Sequence, residues 1–160
     1  HFTFSDELHG KIAALPGVHS IKIPGVPANA EAASARVRNL RNRLPSDVTI
    51  GISGDSSAAT GLIAGCEVWY SVCGGLFPAV AKKITEAAAA GDHTAVRAQN
   101  ERLSPLWALF GQHGGSFRVI SAAAGLLGLT DVNCLPRPLL PLRADQLNEV
   151  RRVISDLELA

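Results

Sequence analysis

Methionine is absent from this sequence, including its first position, which is His1. Only three cysteines occur, Cys66, Cys73 and Cys134, and they have neither CxxC spacing nor the Cys/His spacing of a metal site. We therefore expect reduced thiols in a cytoplasmic protein, and no bound metal. The apolar runs are far shorter than the roughly 20 residues of a membrane-spanning helix, and nothing near the N-terminus is typical of a secretion signal.

No charge of one sign dominates. The 15 basic and 14 acidic side chains give a formal net charge of +1, and the basic ones are spread along predicted helices. This balance gives no reason to expect a nucleic acid or a membrane as partner. With 47% hydrophobic and 18% charged side chains, the 160 residues have the composition of a globular domain with a core.

Helical and apolar extended segments alternate through residues 1–90. Helices are predicted at 6–15, 29–44, 57–64 and 77–90, with Ser5 as the N-cap of the first. Strands are predicted at 18–23, 48–53 and 67–73, each stopped by glycine or proline. A repeat of roughly thirty residues is typical of β/α units, which form a parallel sheet with helices packed outside it.

The pattern changes after Gly91. Three further helices are predicted at 92–110, 117–127 and 144–157, with a proline-rich segment before the last. We therefore predict two domains, 1–90 with the strands and 91–160 all helical. Three parallel strands form neither a closed barrel nor a full open sheet. Together with the missing methionine, this count predicts the second part of a larger structure.

Lys22 carries the clearest chemical signal. It lies near the C-terminal end of an apolar strand, between Ile21 and Ile23, and β/α proteins place reactive groups at such strand ends. Alternation puts Ser20 and Lys22 on one face of the strand. A desolvated lysine loses its proton more readily, and its neutral amine attacks a carbonyl. The alternative is a strand-end side chain that extends into solvent.

Polar residues follow the second strand. Gly54 permits a tight turn that exposes backbone N–H groups, and Asp55 and Ser56 supply acceptors and a hydroxyl for a polar substrate. The alternative is a simple helix cap, in which Ser57 accepts hydrogen bonds from the next helix.

The third strand carries Tyr70, the single tyrosine of the chain, between Trp69 and Ser71. Trp69 is expected to pack in the core.

The order and spacing of these sites resemble the dihydrodipicolinate synthase / N-acetylneuraminate lyase family of Schiff-base-forming barrels. The family pattern is a strand ending in G-I-K, then a strand ending in S-G-D/N about thirty residues later, then G-x-x-S-V/T. The matching segments are SIK with Lys22, ISGDSSAATGLIAG from Ile52, and VWYSVCGGLFP from Val68. The tail, AAAAGDHTAVRAQNERLSPL with RPLLPL, resembles the family's helical extension. The similarity covers essentially the whole chain, onto the second half of the family's fold.

The resemblance implies an α/β fold, namely the last three strands of a TIM (β/α)8 barrel followed by a C-terminal helical extension. It implies that Lys22 forms an imine with pyruvate or a related 2-oxo acid, without metal or organic cofactor. Gly54, Asp55 and Ser56 would contact the distal part of the substrate. Tyr70, through its backbone, and Ser71 would border the pyruvate moiety. The implied partners are the N-terminal half of the barrel and further copies in a homo-oligomer.

The chain departs from the family pattern at several positions. Ser20 replaces the glycine two residues before the lysine, Arg118 replaces a common lysine, and Ile23 begins a segment where members have an acidic residue and small side chains. The family's carboxylate-binding Gly-Thr-Thr segment and its catalytic tyrosine belong to the first half of the barrel. Three alternatives stay open: condensation of pyruvate with an aldehyde, a non-catalytic acid-binding or assembly protein, and an inactive half-barrel.

Overall fold

The structure is a computed structural model that describes residues 2–159. Within them the strands are β1 (Ser20–Ile23), β2 (Thr49–Ser53) and β3 (Val68–Tyr70). The helices are α1 (Asp6–Ala13), α2 (Ala30–Arg41), α3 (Ala58–Ile63), α4 (Cys73–Leu76), α5 (Pro78–Ala89), α6 (His93–Arg102), α7 (Ser104–Gln112), α8 (Ser116–Leu126) and α9 (Ala144–Asp156). A one-turn 3-10 helix, Asp55–Ser57, precedes α3. None of the helices in this range is long and apolar enough to cross a membrane.

Side-chain caps explain where the first two helices begin. Ser5 Oγ accepts a hydrogen bond from the backbone N–H of Leu8 at 3.2 Å, which confirms the predicted N-cap. Asn29 Oδ1 accepts from the N–H of Ala32 at 2.9 Å. Each cap satisfies one of the N–H groups that the first turn of a helix leaves without an intrahelical partner.

The three strands form one parallel sheet in the order β1-β2-β3, as the β/α repeat predicts. Residues that pair across parallel strands point to the same side, so the register divides the side chains into two sets. The apolar face carries Ile21, Ile23, Ile50, Ile52 and Trp69, and the polar face carries Ser20, Lys22, Thr49, Gly51, Ser53, Val68 and Tyr70.

The first compact unit, residues 2–70 with 87–93, has its core on the apolar face of the sheet. Ile50 and Ile52 are completely buried there, and Val37 and Leu40 of α2 pack in the same cluster. Trp69 packs against this cluster as predicted. Burying one such aliphatic side chain stabilises the folded state by about 1.5–3 kcal/mol. The apolar face is therefore held against the helices, and the polar face is turned away from them.

The second compact unit holds residues 71–86 and 94–159. Its core lies where α7, α8 and α9 pack together, with Leu106, Val119 and Val150 completely buried. The Arg118 guanidinium holds the proline-rich segment, because its Nε donates to Leu140 O at 2.8 Å and its Nη2 to Pro141 O at 3.2 Å. The prediction of two domains divided at residue 90 stays a prediction.

Two predicted elements differ from the structure. The third strand ends at Tyr70 and not at residue 73, because Tyr70 pairs with Ser53, the last residue of β2. Gly54 then turns the chain away with a φ of 84°, so β3 has no hydrogen-bonding partner on β2 beyond that point. The helix predicted at 92–110 is two helices, α6 and α7. Pro105 lies in the first turn of α7 and has no N–H to continue α6.

Candidate active site

Lys22 lies on the polar face of the sheet, paired in register with Gly51 of β2. Its neighbours Ile21 and Ile23 are 7% and 2% exposed, so the apolar core fixes the strand that carries it. The Lys22 side chain itself is exposed. In the part of the chain that the structure describes, residues 2–159, the Lys22 amine therefore reaches solvent. The apolar strand around Lys22 does not remove water from this amine.

The strand position distinguishes Lys22 from the other lysines. Lys11 and Lys82 lie on helix surfaces, where each forms an ion pair with a glutamate four residues away. Lys83 is likewise exposed on α5. Such i,i+4 surface pairs contribute only about 0.3–0.5 kcal/mol and are typical of solvated helix faces. Lys22, by contrast, lies on a strand, and its face of the sheet carries other polar side chains.

A hydroxyl cluster lies next to Lys22 on the polar face. Tyr70 Oη donates a hydrogen bond to Ser20 Oγ at 2.7 Å, and Thr49 Oγ1 donates to the same oxygen at 2.8 Å. Ser20 Oγ in turn donates to Thr49 O at 3.4 Å. Two hydroxyls thus converge on Ser20, two residues before Lys22.

The loop after β2 begins at the C-terminal end of the sheet. Ser53 Oγ donates to Ile23 O at 2.8 Å and so fastens the end of β2 to the end of β1, directly after Lys22. Gly54 and Ser56 are exposed, as a contact with a small molecule requires. The positive φ of Gly54 is a backbone conformation that glycine adopts without strain.

Asp55 is buried, at 5% exposure, and its Oδ1 accepts a hydrogen bond from Trp69 Nε1 at 3.1 Å. The indole is on the apolar face, so this carboxylate anchors the loop to the core. The predicted cap by Ser57 is not formed, because no side-chain hydrogen bond of Ser57 closes the start of α3. The hydrogen bond from the indole N–H satisfies part of the hydrogen-bonding capacity of this buried carboxylate.

Ser71 belongs to the second unit. Its Oγ accepts a hydrogen bond from the N–H of Gly74 at 2.7 Å, at the start of the short helix α4. This contact gives Ser71 a local role at the start of α4. Its predicted contact with a substrate stays a prediction.

Sequence reasoning gave no role to Thr49 or Ser53. The signal was available, because alternation within TIGIS places Thr49, Gly51 and Ser53 on one face. The parallel register then identifies this face as the one that carries Lys22. What the alternation did not reveal is the convergence of hydroxyls on Ser20.

The cysteines have unlike surroundings. Burial, reinforced by the charge of Glu67, raises the pKa of the Cys66 thiol to about 11. Hydrogen bonds with the side chains of Ser121 and Thr130 lower the pKa of the exposed Cys134. Among residues 2–159, no three or more His, Cys, Asp or Glu side chains are grouped so that they could hold a metal ion.

These pKa shifts predict the order of alkylation by iodoacetamide. The thiolate is the reacting form, so Cys134 should react readily at about pH 8 and Cys66 should stay thiol and unmodified. Raising the pH toward the pKa of Cys66 increases its thiolate fraction and should increase its labelling. Peptide mapping against a urea-denatured control, in which all three cysteines react, measures this order. Equal labelling rates of Cys66 and Cys134 in the folded chain would contradict it.

The comparisons with known proteins decide the family. The model of the dihydrodipicolinate synthetase family matches residues 10–157. The chain belongs to this family. Members of the dihydrodipicolinate synthetase family are also among the similar solved structures. Dihydrodipicolinate synthase from Agrobacterium tumefaciens is 41% identical, with a TM-score of 0.88, over 98% of this chain and 51% of that one.

More distant members of the family show the same fold. Dihydrodipicolinate synthases from Aquifex aeolicus and Thermotoga maritima are 20% and 22% identical, with TM-scores of 0.81 and 0.82. Each match covers 97% of this chain and 50% or 51% of the other. The comparison with curated proteins found no match.

The chain therefore spans about half the length of the solved structures it matches. Three parallel strands with helices, matched to half of a dihydrodipicolinate synthase, confirm the predicted part of a (β/α)8 barrel. The resemblance inferred from SIK, ISGD and VWYSV is confirmed at the level of the family.

Proposed function

We propose that this chain is the lysine-bearing half of a Schiff-base lyase that acts on pyruvate or a related 2-oxo acid. Membership of the dihydrodipicolinate synthetase family carries the proposal. The position of Lys22 on the polar face of the strands, near their C-terminal ends, supports it. Barrel enzymes of this architecture have their active sites at those ends.

In this mechanism, neutral Lys22 Nζ attacks the C2 carbonyl carbon of the 2-oxo acid. A C–N bond forms, the carbonyl oxygen leaves as water after accepting two protons, and a protonated imine remains. The imine nitrogen then withdraws electrons when the adjacent carbon loses a proton, or when a C–C bond to that carbon breaks. The reaction forms no metal-stabilised enolate, because the imine supplies the electron sink.

The loop after β2 is proposed to bind the distal part of the substrate. Gly54 and Ser56 are exposed, so a backbone group and a hydroxyl are accessible there. Asp55 is proposed to contact the same part of the substrate, and its carboxylate, buried against Trp69, holds the loop in place. Tyr70 and Ser71 are proposed to border the pyruvate moiety.

The polar face of the sheet also leads to a proposed partner. Within residues 2–159, β1 and β3 each pair with β2 alone, and Lys22 is exposed. We propose that strands of an N-terminal half barrel pair with these two edges and cover Lys22, which removes water from the amine. Assembly into a homo-oligomer and a cytoplasmic location are further parts of the proposal.

The direct test is borohydride trapping with pyruvate, followed by intact mass and peptide mapping. It is run on this chain alone and on this chain joined behind the first half of the Agrobacterium tumefaciens synthase. One reduced pyruvate on Lys22 is expected, and Lys83→Ala is expected to leave it unchanged. No adduct on Lys22 in either preparation, with both folded by circular dichroism, would falsify the proposal.

A second candidate, a non-catalytic acid-binding or assembly protein, is favoured by one observation. Lys22 is exposed in this chain, as expected of an ordinary amine that pairs with an acid. Such a protein binds pyruvate without forming an adduct. Binding by calorimetry without trapping supports it, whereas an adduct excludes it. Consumption of aspartate semialdehyde with pyruvate distinguishes the remaining alternative, condensation, from cleavage.

A further inference from the structure

Tyr70 crosses the polar face of the sheet. Its backbone is on β3, in register with Ser53, yet its hydroxyl reaches Ser20 on β1 at 2.7 Å. The side chain therefore spans β2 diagonally, from the C-terminal end of β3 toward the start of β1. Tyr70 is 39% exposed in this chain, and the hydrogen bond to Ser20 fixes the end of its phenol.

Gly51 provides the space for this crossing. A Cβ built on Gly51 would lie 2.6 Å from Tyr70 Cδ2 and closer still to Cε2, so the ring rests on the glycine backbone. Gly51 is also the residue of β2 that pairs with Lys22. The ring consequently occupies the polar face at the level of Lys22, on the side of β2.

Ser20 completes the arrangement. The family pattern has glycine two residues before the lysine, and glycine offers no side-chain acceptor. Ser20 Oγ accepts both from Tyr70 and from Thr49, which fixes the end of the phenol. The serine that replaces the family's glycine at position 20 is thus the residue that fixes the orientation of Tyr70.

We propose that Tyr70 is a positioning residue for Lys22, held in place by Ser20 and given its space by Gly51. The ring excludes those Lys22 rotamers that lean across β2. A lysine with fewer rotamers loses less freedom when its amine is aligned with a carbonyl, so imine formation is faster. This inference rests on the proposed imine function and assigns a specific role to the side chain of Tyr70.

The test compares Tyr70→Phe, Ser20→Ala and the double variant, in whichever preparation of the trapping experiment yields the adduct. Each single variant loses the hydrogen bond between Tyr70 and Ser20, and Ser20→Ala also loses the contacts of Ser20 Oγ with Thr49. Each is expected to lower the trapping rate constant and kcat about 3-fold to 10-fold, with KM nearly unchanged. The double variant is expected to lose no more than Ser20→Ala alone, because Ser20→Ala has already removed the contact that Tyr70→Phe removes. Ser20→Thr keeps the hydroxyl and is expected to restore the rate. Ser155→Ala, on the exposed surface of α9, is the matched serine control.

A second measurement uses the chain alone. Tyr70 is its single tyrosine, so incorporated 3-fluorotyrosine reports this ring as one fluorine NMR resonance. Ser20→Ala is expected to shift that resonance, and Ser155→Ala is not. An unshifted resonance in folded Ser20→Ala would show that the phenol does not meet Ser20, which overturns the inference.

The outcomes separate the inference from the function on which it rests. A wild-type adduct with unchanged rates in the variants, or additive losses in the double variant, overturns the positioning role and leaves the imine function intact. A lower melting temperature without a change in trapping rate assigns the contact to stability alone and also overturns it. Absence of any wild-type adduct overturns the function, and the positioning role with it.

Discussion

Lys22→Ala is expected to lower turnover of a 2-oxo acid by about 10³-fold or more, because no other group then forms the covalent intermediate. The free energy of unfolding should change by only about 0.5 kcal/mol or less, since the side chain is exposed and its neighbours Ile21 and Ile23 carry the packing of β1. Steady-state consumption of pyruvate with an aldehyde and urea unfolding of the same preparation measure the two effects.

Lys22→Arg separates a nucleophile from a simple positive charge. Arginine keeps the charge and does not form the imine, so turnover should fall as far as in Lys22→Ala while binding of pyruvate is largely retained. Lys83→Ala, an exposed lysine of α5, is the control and should behave like the unchanged chain. Substantial turnover in Lys22→Arg would mean that only the charge matters, and the imine mechanism would have to be abandoned.

Ile50→Ala is expected to destabilise the first unit by about 3 kcal/mol, the largest stability effect of those predicted here. Ile50 is completely buried on the apolar face of β2, in the cluster that includes Ile21 and Val37. Truncating the side chain beyond Cβ removes the favourable free energy of burying those carbons. It also leaves a cavity in the core on the apolar face of the sheet. Lys22 is on the opposite face of the sheet, so Ile50→Ala should lower activity only by lowering the fraction of folded protein.

Urea unfolding followed by the fluorescence of Trp69 measures this loss, in a Trp107→Phe background that removes the second tryptophan. Leu15→Ala is the matched control, since Leu15 is 55% exposed and its truncation should cost about 0.5 kcal/mol or less. Similar losses in Ile50→Ala and Leu15→Ala would mean that the apolar face is not the core of this unit.

Much of the fold was predictable because its signals are local. The N-cap at Ser5, the apolar strands and the alternation around Lys22 each depend on residues within a few positions of one another. The break between α6 and α7 also has a local signal, because Pro105 lies in the first turn of α7, whereas the prediction for 92–110 is one helix. The family was predictable from the order and spacing of short motifs, and the family match confirms it.

The candidate site was only partly predictable. Gly54 and Ser56 are exposed in a loop after a strand, as the sequence indicates. The contact of Asp55 with a substrate stays a prediction, and the structure adds a hydrogen bond from Trp69 to its carboxylate. That hydrogen bond joins residues 14 positions apart in two different elements, and no periodicity within either element predicts it.

The sequence alone determined the alternation of helices and strands up to β3, the apolar and polar faces of β1 and β2, and the placement of Lys22 on the polar one. These follow from residue types and from a two-residue repeat, which require no knowledge of neighbouring strands. The tertiary structure decided where β3 ends, which partner Asp55 has, and that Tyr70 passes over Gly51 to Ser20. Those features depend on the register of three strands separated by tens of residues, and register is fixed by packing between elements and not by the pattern within one.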